Sequence, residues 1–233
     1  KGHNLANLLI TALELTTNDY EKTFREINQL LNIPHQVLPV TLDNAQVCAV
    51  LENGKTIEGE TNIDIPQHNG NLKIKEVYLK PKAKAYPKTL EAIEKADLIV
   101  IGPGDLYSSL AQILVVEGIS ESIKRSKAKK VYICNLMTKY GETNNFIVSD
   151  FTSEVEKLLG GPLDFVIYNT KKLLAKKLAA CKKEHPELLD LVKVNENLPK
   201  GKFIGENLLS SSGLAVHNPQ KLAKIIVNLC NRQ

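Results

Sequence analysis

Three stretches of the chain end an apolar run in small or polar residues that could bind a ligand. Residues 96–109 read ADLIVIGPGDLYSS, residues 130–143 read KVYICNLMTKYGET, and residues 163–170 read LDFVIYNT. In open α/β sheets, ligands bind beyond the carboxyl ends of parallel strands. The pattern therefore predicts a site that is rich in backbone and amide hydrogen bonds and poor in strong acids and bases.

The first stretch places two glycines, Gly102 and Gly104, directly after its apolar run. Glycine lets a backbone approach a ligand closely, and amides in such a turn can face an anion. Ser108 could donate a hydrogen bond to a phosphate or sugar oxygen. An isolated GPG is more often a plain strand-to-helix turn, because short motifs have many chance matches.

Asparagines end the other two stretches. Asn135 directly follows its apolar run, where the side-chain amide can both donate to and accept from a base or a sugar, and Asn169 closes the third run. Thr138 offers a hydroxyl nearby. We expect Glu142, the one acid of the second stretch, to act as a cap or to be solvated. Three such strand ends together favour a pocket.

Other candidates carry weaker signals. His3 and Asn7 lie four residues apart on one face of the first predicted helix, where a helix cap or a surface pair is the alternative. His217 precedes Asn218 and Pro219, and we expect it to mark the start of the last helix. No pair of histidines has the spacing of a metal site, and no P-loop, GxSxG or HExxH motif occurs.

The order of predicted elements indicates an α/β fold. Helices and strands alternate from residue 87, with helices near 87–95, 115–126 and 149–159 and strands at 97–101, 129–134 and 163–167. This alternation predicts a Rossmann-like three-layer fold around a parallel sheet. Residues 36–81 read as a β-rich excursion, in which Asn53 and Gly54 predict a type I′ hairpin turn. We treat residues 1–233 as one domain.

Composition narrows the class of protein. A net charge of +4 is too small to indicate nucleic-acid binding. Four widely spaced cysteines without a CxxC pair predict buried free thiols in a reducing compartment. The sequence contains no apolar run long enough to span a bilayer, so we expect a cytoplasmic protein without membrane insertion.

The segment GPGDLYSSLAQILVVEGISESIKRSKAKKVYICNLMTKYGET resembles the signature region of the gluconeogenesis factor family, the YvcK proteins. This family is related to CofD, the 2-phospho-L-lactate transferase of deazaflavin coenzyme synthesis. The likeness extends to KGHNLANLLITAL at the start, to the VLPVT and hairpin region, and to AVHNPQKLAKII near the end. It covers nearly the whole chain.

The resemblance implies a Rossmann-like fold that binds a nucleotide or a nucleotide sugar. A YvcK-like protein would bind UDP-N-acetylglucosamine and support cell shape and envelope synthesis on gluconeogenic carbon, without established catalysis. A CofD-like protein would instead transfer a phospholactyl group from a guanosine-linked donor, with Mg²⁺. The extended VLPVT and hairpin region favours the YvcK side. No catalytic base can be assigned, and no other cofactor is expected.

Two features depart from the family pattern. The family's Gly-Gly-Gly-Thr-Gly loop and Asp-Asp-Gly-Gly segment do not occur in the chain, and Ala6 replaces a family glycine. We therefore expect the amino-terminal part of the family not to be represented. Apolar positions near the first helix would be covered by that part or by a partner, and we expect a homo-oligomer.

Asp105 is the second departure, because it replaces a Ser or Thr and would repel a phosphate by about 1 kcal/mol at 4 Å in water. It could instead bind a sugar hydroxyl or a cation.

Overall fold

The structure is a computed structural model that describes residues 5–32, 34–211 and 215–231, without the side chains of residues 6 and 7. The strands are β1 (Gln46–Leu51), β2 (Thr56–Glu58), β3 (Ile74–Lys80), β4 (Leu98–Ile101), β5 (Lys129–Ile133), β6 (Met137–Lys139), β7 (Phe165–Asn169), β8 (Leu188–Leu191) and β9 (Phe203–Glu206). The α-helices are α1 (Leu5–Thr17), α2 (Tyr20–Leu30), α3 (Glu60–Asp64), α4 (Pro87–Lys95), α5 (Gln112–Leu114), α6 (Ile119–Arg125), α7 (Val148–Leu159), α8 (Ala175–Glu184) and α9 (Pro219–Cys230). A π-helix spans Leu106–Ala111.

A four-stranded parallel sheet forms the centre of the fold, in the order β4-β5-β7-β9. Its strands are apolar on both faces, as is typical of a parallel sheet covered on both sides. Tyr132 and Cys134 pack into one buried cluster with the π-helix, α6 and α7. Val131 and Ile133 point the other way, into a second cluster with α8 and α9. The predicted three-layer α/β class is confirmed.

The excursion forms a separate antiparallel sheet in the order β2-β1-β3. The predicted hairpin is present, because the Leu51 amide donates to the Lys55 carbonyl at 2.8 Å. Its predicted turn type is wrong. A type I′ turn needs positive φ at both central residues, but only Gly54 has it, at 84°. Residues 52–55 connect these strands, so the connection is longer than a two-residue loop.

Helix boundaries follow local capping signals. Asp19 caps α2 by accepting a hydrogen bond from the Lys22 amide at 3.1 Å, and Asn218 caps α9 in the same way through Lys221 at 2.9 Å. Pro219 occupies the first turn of α9. Local sequence patterns did not predict α3, the π-helix, or the strands β6, β8 and β9.

The amino-terminal hairpin of α1 and α2 leaves apolar side chains in solvent. Leu5 and Leu15 on α1 are 81% and 80% exposed. Lys88 on α4 forms an ion pair with Glu21 on α2, which joins this hairpin to the rest of the chain. Within the described ranges, no helix combines the length and apolar character that a membrane span requires.

Candidate functional site

The three predicted turns lie on one edge of the parallel sheet. Strands β4, β5 and β7 are neighbours that run in the same direction, with Ile101 paired to Tyr132 and Ile133 paired to Ile167. Their carboxyl ends therefore lead side by side into the GPG turn, into the segment that begins at Cys134, and into the turn after β7. We call this surface the carboxyl edge. Whether it binds a ligand stays a prediction.

The glycines of the GPG turn have a structural reason of their own. Gly102 has a φ of +78°, a conformation that strains residues with a side chain. A Cβ added there would lie 3.2 Å from the carbonyl oxygen of Ile133 on β5. A Cβ on Gly104 would lie 3.2 Å from a methyl carbon of Leu110. These contacts explain both glycines without a ligand.

Asn135 links two of the turns. Its Nδ2 donates to the carbonyl oxygen of Gly104 at 2.9 Å, and its Oδ1 accepts from the Tyr132 hydroxyl at 3.3 Å. The side chain is half-buried. The amide that was predicted to face a ligand thus fixes the GPG turn against the end of β5.

Asn169 plays a similar part at the end of β7. Its Oδ1 accepts from the amides of Lys171 and Leu208, each at 3.2 Å, and its Nδ2 donates to the carbonyl of Lys171 at 2.7 Å. Thr138 on β6 is buried, and its hydroxyl bonds only to the backbone of Asp190 among the described residues. Of these two residues, Asn169 is the one with access to solvent.

Of the two predicted roles of Glu142, capping is confirmed, because its carboxylate accepts from amides in the first turn of the π-helix. Solvation is wrong, because this carboxylate is completely enclosed. One oxygen accepts from the amides of Tyr107 at 2.8 Å and Ser108 at 3.1 Å, and the other accepts from the Ser108 hydroxyl at 2.8 Å. Burial raises the pKa of Glu142, and its hydrogen bonds and the charge of Lys139 offset this only in part. The Ser108 hydroxyl, which was predicted to donate to a ligand oxygen, is therefore occupied by a side chain of the protein, and so are the amides of Tyr107 and Ser108.

Lys139 joins this carboxylate to two others. Its ammonium group lies 3.2 Å from Glu142 and 2.7 Å from Asp105, and it also contacts Asp64 at the end of α3. Only 7% of the Lys139 side chain is exposed. Burial lowers its pKa, but hydrogen bonds to Asp105 and Asp64 and the charge of Glu142 outweigh burial, so the pKa lies above its usual value. Lys139 is therefore charged, and Asp105 serves as its partner.

The same three carboxylates offer the oxygen ligands that Mg²⁺ prefers. Oxygen atoms of Asp64, Asp105 and Glu142 all lie within 4.8 Å of one another. The ammonium of Lys139 contacts each of them and thus takes the position between them that a cation would need. In this arrangement the residues do not fit a magnesium ion.

One residue at the carboxyl edge was not predicted to belong there. His217 is partly buried, and its imidazole contacts the backbone carbonyl of Cys134, next to Asn135. A long connection separates it from β5 in sequence, and no local motif marked this contact. His3 lies outside the described residues, and so does the side chain of Asn7, so their predicted roles stay predictions.

Two cavities lie away from the turns. One of about 460 Å³ lies between α2 and residues 36–39, and another of about 430 Å³ lies beside Tyr107 and the start of α7. Neither is lined by Gly102, Asn135 or Asn169. We assign the candidate site from the strand ends, because cavity volume alone does not identify a site, whereas polar groups converge at the carboxyl edge.

Comparisons with known proteins identify the family of the chain. Residues 1–203 match the family model described as 2-phospho-L-lactate transferase CofD. A putative gluconeogenesis factor of Thermotoga maritima is 40% identical over 230 residues, covering 97% of this chain and 72% of the relative. A putative gluconeogenesis factor of Clostridium acetobutylicum is 33% identical over 97% of the chain, which spans only 51% of that relative.

A solved structure agrees with these relatives. The crystal structure of a UPF0052 family member from Bacillus halodurans superposes with a TM-score of 0.87 and 34% identity, over 97% of this chain and 73% of that one. The resemblance drawn from the GPG-to-GET segment is thereby confirmed. The chain belongs to the gluconeogenesis factor family, a branch of the CofD family.

Proposed function

We propose that the protein binds a nucleotide sugar of the UDP-N-acetylglucosamine type at the carboxyl edge and acts as a cytoplasmic regulator. The regulated processes would be cell shape and envelope synthesis on gluconeogenic carbon, and the active form would be a homo-oligomer. The observation that carries the proposal is the convergence of the GPG turn, Asn135 and Asn169 at the ends of three adjacent parallel strands.

Charge indicates how such a ligand would lie. The Asp105 side chain, 36% exposed, and Asp64 place excess negative charge beside the GPG turn. Lys171 and Lys172 are exposed just beyond β7. A diphosphate is repelled by the first region and attracted by the second. We therefore place the diphosphate near the end of β7.

The π-helix cannot supply the phosphate site in this arrangement. Helix amino termini often bind phosphate through free amides. Here the amides of Tyr107 and Ser108 already donate to Glu142. The ligand would instead use the groups around Asn169, together with side chains near the end of β7.

The first experiment is a binding panel with the whole chain. Native mass spectrometry and calorimetry against UDP, GDP, UDP-N-acetylglucosamine and GDP-mannose should show a preference for the uridine compounds. If none of the four binds, the proposed function is wrong. A guanosine preference would favour the transferase described below.

A charge change at Asn169 tests the placement. We expect Asn169→Asp to weaken UDP-N-acetylglucosamine binding by about tenfold, because the added carboxylate repels the diphosphate. The Oδ1 of an aspartate can still accept from Lys171 and Leu208, but its second oxygen replaces the Nδ2 that donates to the carbonyl of Lys171. Melting temperatures of the variant and the wild type therefore check that the turn persists. Calorimetry measures the affinity.

Asn195→Asp is the matched control, since the Oδ1 of Asn195 also accepts a backbone hydrogen bond, from Ser149 at 3.1 Å near the start of α7. Equal weakening in both variants, or no weakening in either, would contradict a diphosphate near β7.

A CofD-type phospholactyl transferase is the alternative, and the family match to residues 1–203 supports it. Such an enzyme would need Mg²⁺ and a guanosine-linked donor, and Lys139 fills the carboxylate cluster that could otherwise hold the metal. Incubation with a deazaflavin acceptor, the donor and Mg²⁺ tests this. Formation of a phospholactyl product would establish the transferase, and its absence would remove it.

A further inference from the structure

The segment that carries His217 is fixed to the carboxyl edge by backbone hydrogen bonds. His217 pairs with Leu209 in an antiparallel bridge, and the amide of Asn218 donates to the carbonyl of Leu208 at 2.6 Å. The amide of Leu208 in turn donates to Oδ1 of Asn169 at 3.2 Å. The residues around His217 therefore lie directly beside the end of β7.

The imidazole itself reaches the end of β5. It contacts the carbonyl of Cys134, and burial lowers the pKa of His217, which this contact offsets only in part. The ring is therefore neutral near pH 7. Its Nε2 is buried and has no hydrogen-bond partner in the part of the chain described, so Nδ1 is the nitrogen that donates to Cys134.

A neutral imidazole that donates through Nδ1 presents an acceptor at Nε2. Buried polar atoms without a partner are rare in folded proteins, and each calls for a physical explanation. At this edge Asn135 and Asn169 already use their side-chain amides on the backbone. Nε2 of His217 is thus a hydrogen-bond acceptor near the carboxyl edge that has no donor among the described residues.

We propose that Nε2 of His217 contacts the bound ligand, accepting a hydrogen bond from a hydroxyl or N–H group of the nucleotide sugar. This inference rests on the proposed function and extends it to a named specificity residue. Because this nitrogen is buried, a ligand that lies across the ends of β5 and β7 would reach it only after the side chains that cover it move aside on binding. It follows that the site favours a ligand with a donor there over an analogue that lacks the donor.

Two substitutions separate the ring nitrogens. His217→Asn places an amide near the position of Nδ1, so it can still donate to Cys134 but has no atom at the Nε2 position. His217→Gln reaches the Nε2 position with an amide oxygen that can accept. We expect His217→Asn to weaken UDP-N-acetylglucosamine binding by about tenfold or more, and His217→Gln to stay within about threefold of the wild type.

Calorimetry gives the affinities, and melting temperatures show whether both variants fold. His185→Asn serves as a control, because the imidazole of His185 is half exposed and faces Glu187 at 3.3 Å, next to β8. If both His217 variants bind as the wild type does, or if His217→Gln is as weak as His217→Asn, the contact is wrong while the proposed function stands. If the wild type itself binds none of the panel, the proposed function fails and the inference fails with it.

Nitrogen NMR of the wild-type chain provides a readout that needs no variant. The Nε2 resonance of His217 should be that of an unprotonated nitrogen, and it should shift when UDP-N-acetylglucosamine is added. An Nε2 that carries the proton in the free protein, or one that does not respond to a saturating ligand, would overturn the inference.

Discussion

Replacing Lys139 by methionine is expected to lower the free energy of unfolding by about 3–5 kcal/mol. The ammonium group contacts three carboxylates, and one of them, Glu142, is completely enclosed. Methionine matches the length of the lysine stem but leaves these carboxylates without a cation. Breaking a buried ion pair is costly because the remaining charge stays out of water.

Urea unfolding measures this loss. Lys157→Met is the matched control, since Lys157 pairs with Glu154 at 3.3 Å but its side chain is 60% exposed. An exposed pair contributes about 0–1 kcal/mol, so the control should be nearly neutral. Similar losses in the two variants would show that the Lys139 cluster is no more important than a surface pair.

The loss of unfolding free energy in Lys139→Met should also depend on pH. Burial already raises the pKa of Glu142, and removal of the ammonium raises it further. A carboxyl group whose pKa is higher in the folded state than in the unfolded state destabilises the fold as pH rises through its folded pKa. The difference between Lys139→Met and the wild type should therefore be larger at pH 8 than at pH 5. A difference that grows toward acid would contradict this account.

Replacing Gly102 by alanine is expected to have the second-largest effect. The positive φ alone costs a residue with a side chain about 1–2 kcal/mol. The new Cβ would also lie 3.2 Å from the carbonyl oxygen of Ile133, inside the parallel sheet. That carbonyl cannot easily move, because the next amide, that of Cys134, donates to Ile167 on β7 at 2.9 Å.

Gly160→Ala is the control, because it has the cost of a positive φ without a steric contact. Gly160 has a φ of +62°, and a Cβ there would meet nothing within 4 Å. Both variants carry the cost of a positive φ, and Gly102 also precedes Pro103, which restricts a residue with a side chain further. Thermal or urea unfolding should therefore show Gly102→Ala to be less stable than Gly160→Ala by about 1 kcal/mol or more. Equal losses would mean that the contact with β5 is easily relieved.

The sheet and its carboxyl edge could be predicted because their signals are local. Apolar runs that end at Gly102, Asn135 and Asn169 mark three strand ends, and the helices between the runs require a parallel order. Strand β9 could not be predicted in this way. It follows a mixed segment without a clear period, and it pairs with β7 only in the folded chain.

The cluster of Lys139 and its three carboxylates could not be predicted, because its members meet through tertiary structure. Asp64 comes from the excursion, Asp105 from the turn after β4, and Lys139 from β6. A lone acid such as Glu142 is expected to be solvated or to act as a cap, and its full burial could not be predicted, since acids are seldom buried without a partner. His217 was missed for the same reason, as its contact with Cys134 depends on how the last segment crosses the sheet.

The junction at Lys139 has a mechanical consequence. The Lys139 ammonium group forms ion pairs both with Asp64, at the end of α3, and with Asp105, the residue that follows the GPG turn. Movement of α3 away from the GPG turn would therefore break an ion pair of the buried Lys139 ammonium. We expect a displacement of α3 to be passed on to the turn after β4 through these ion pairs.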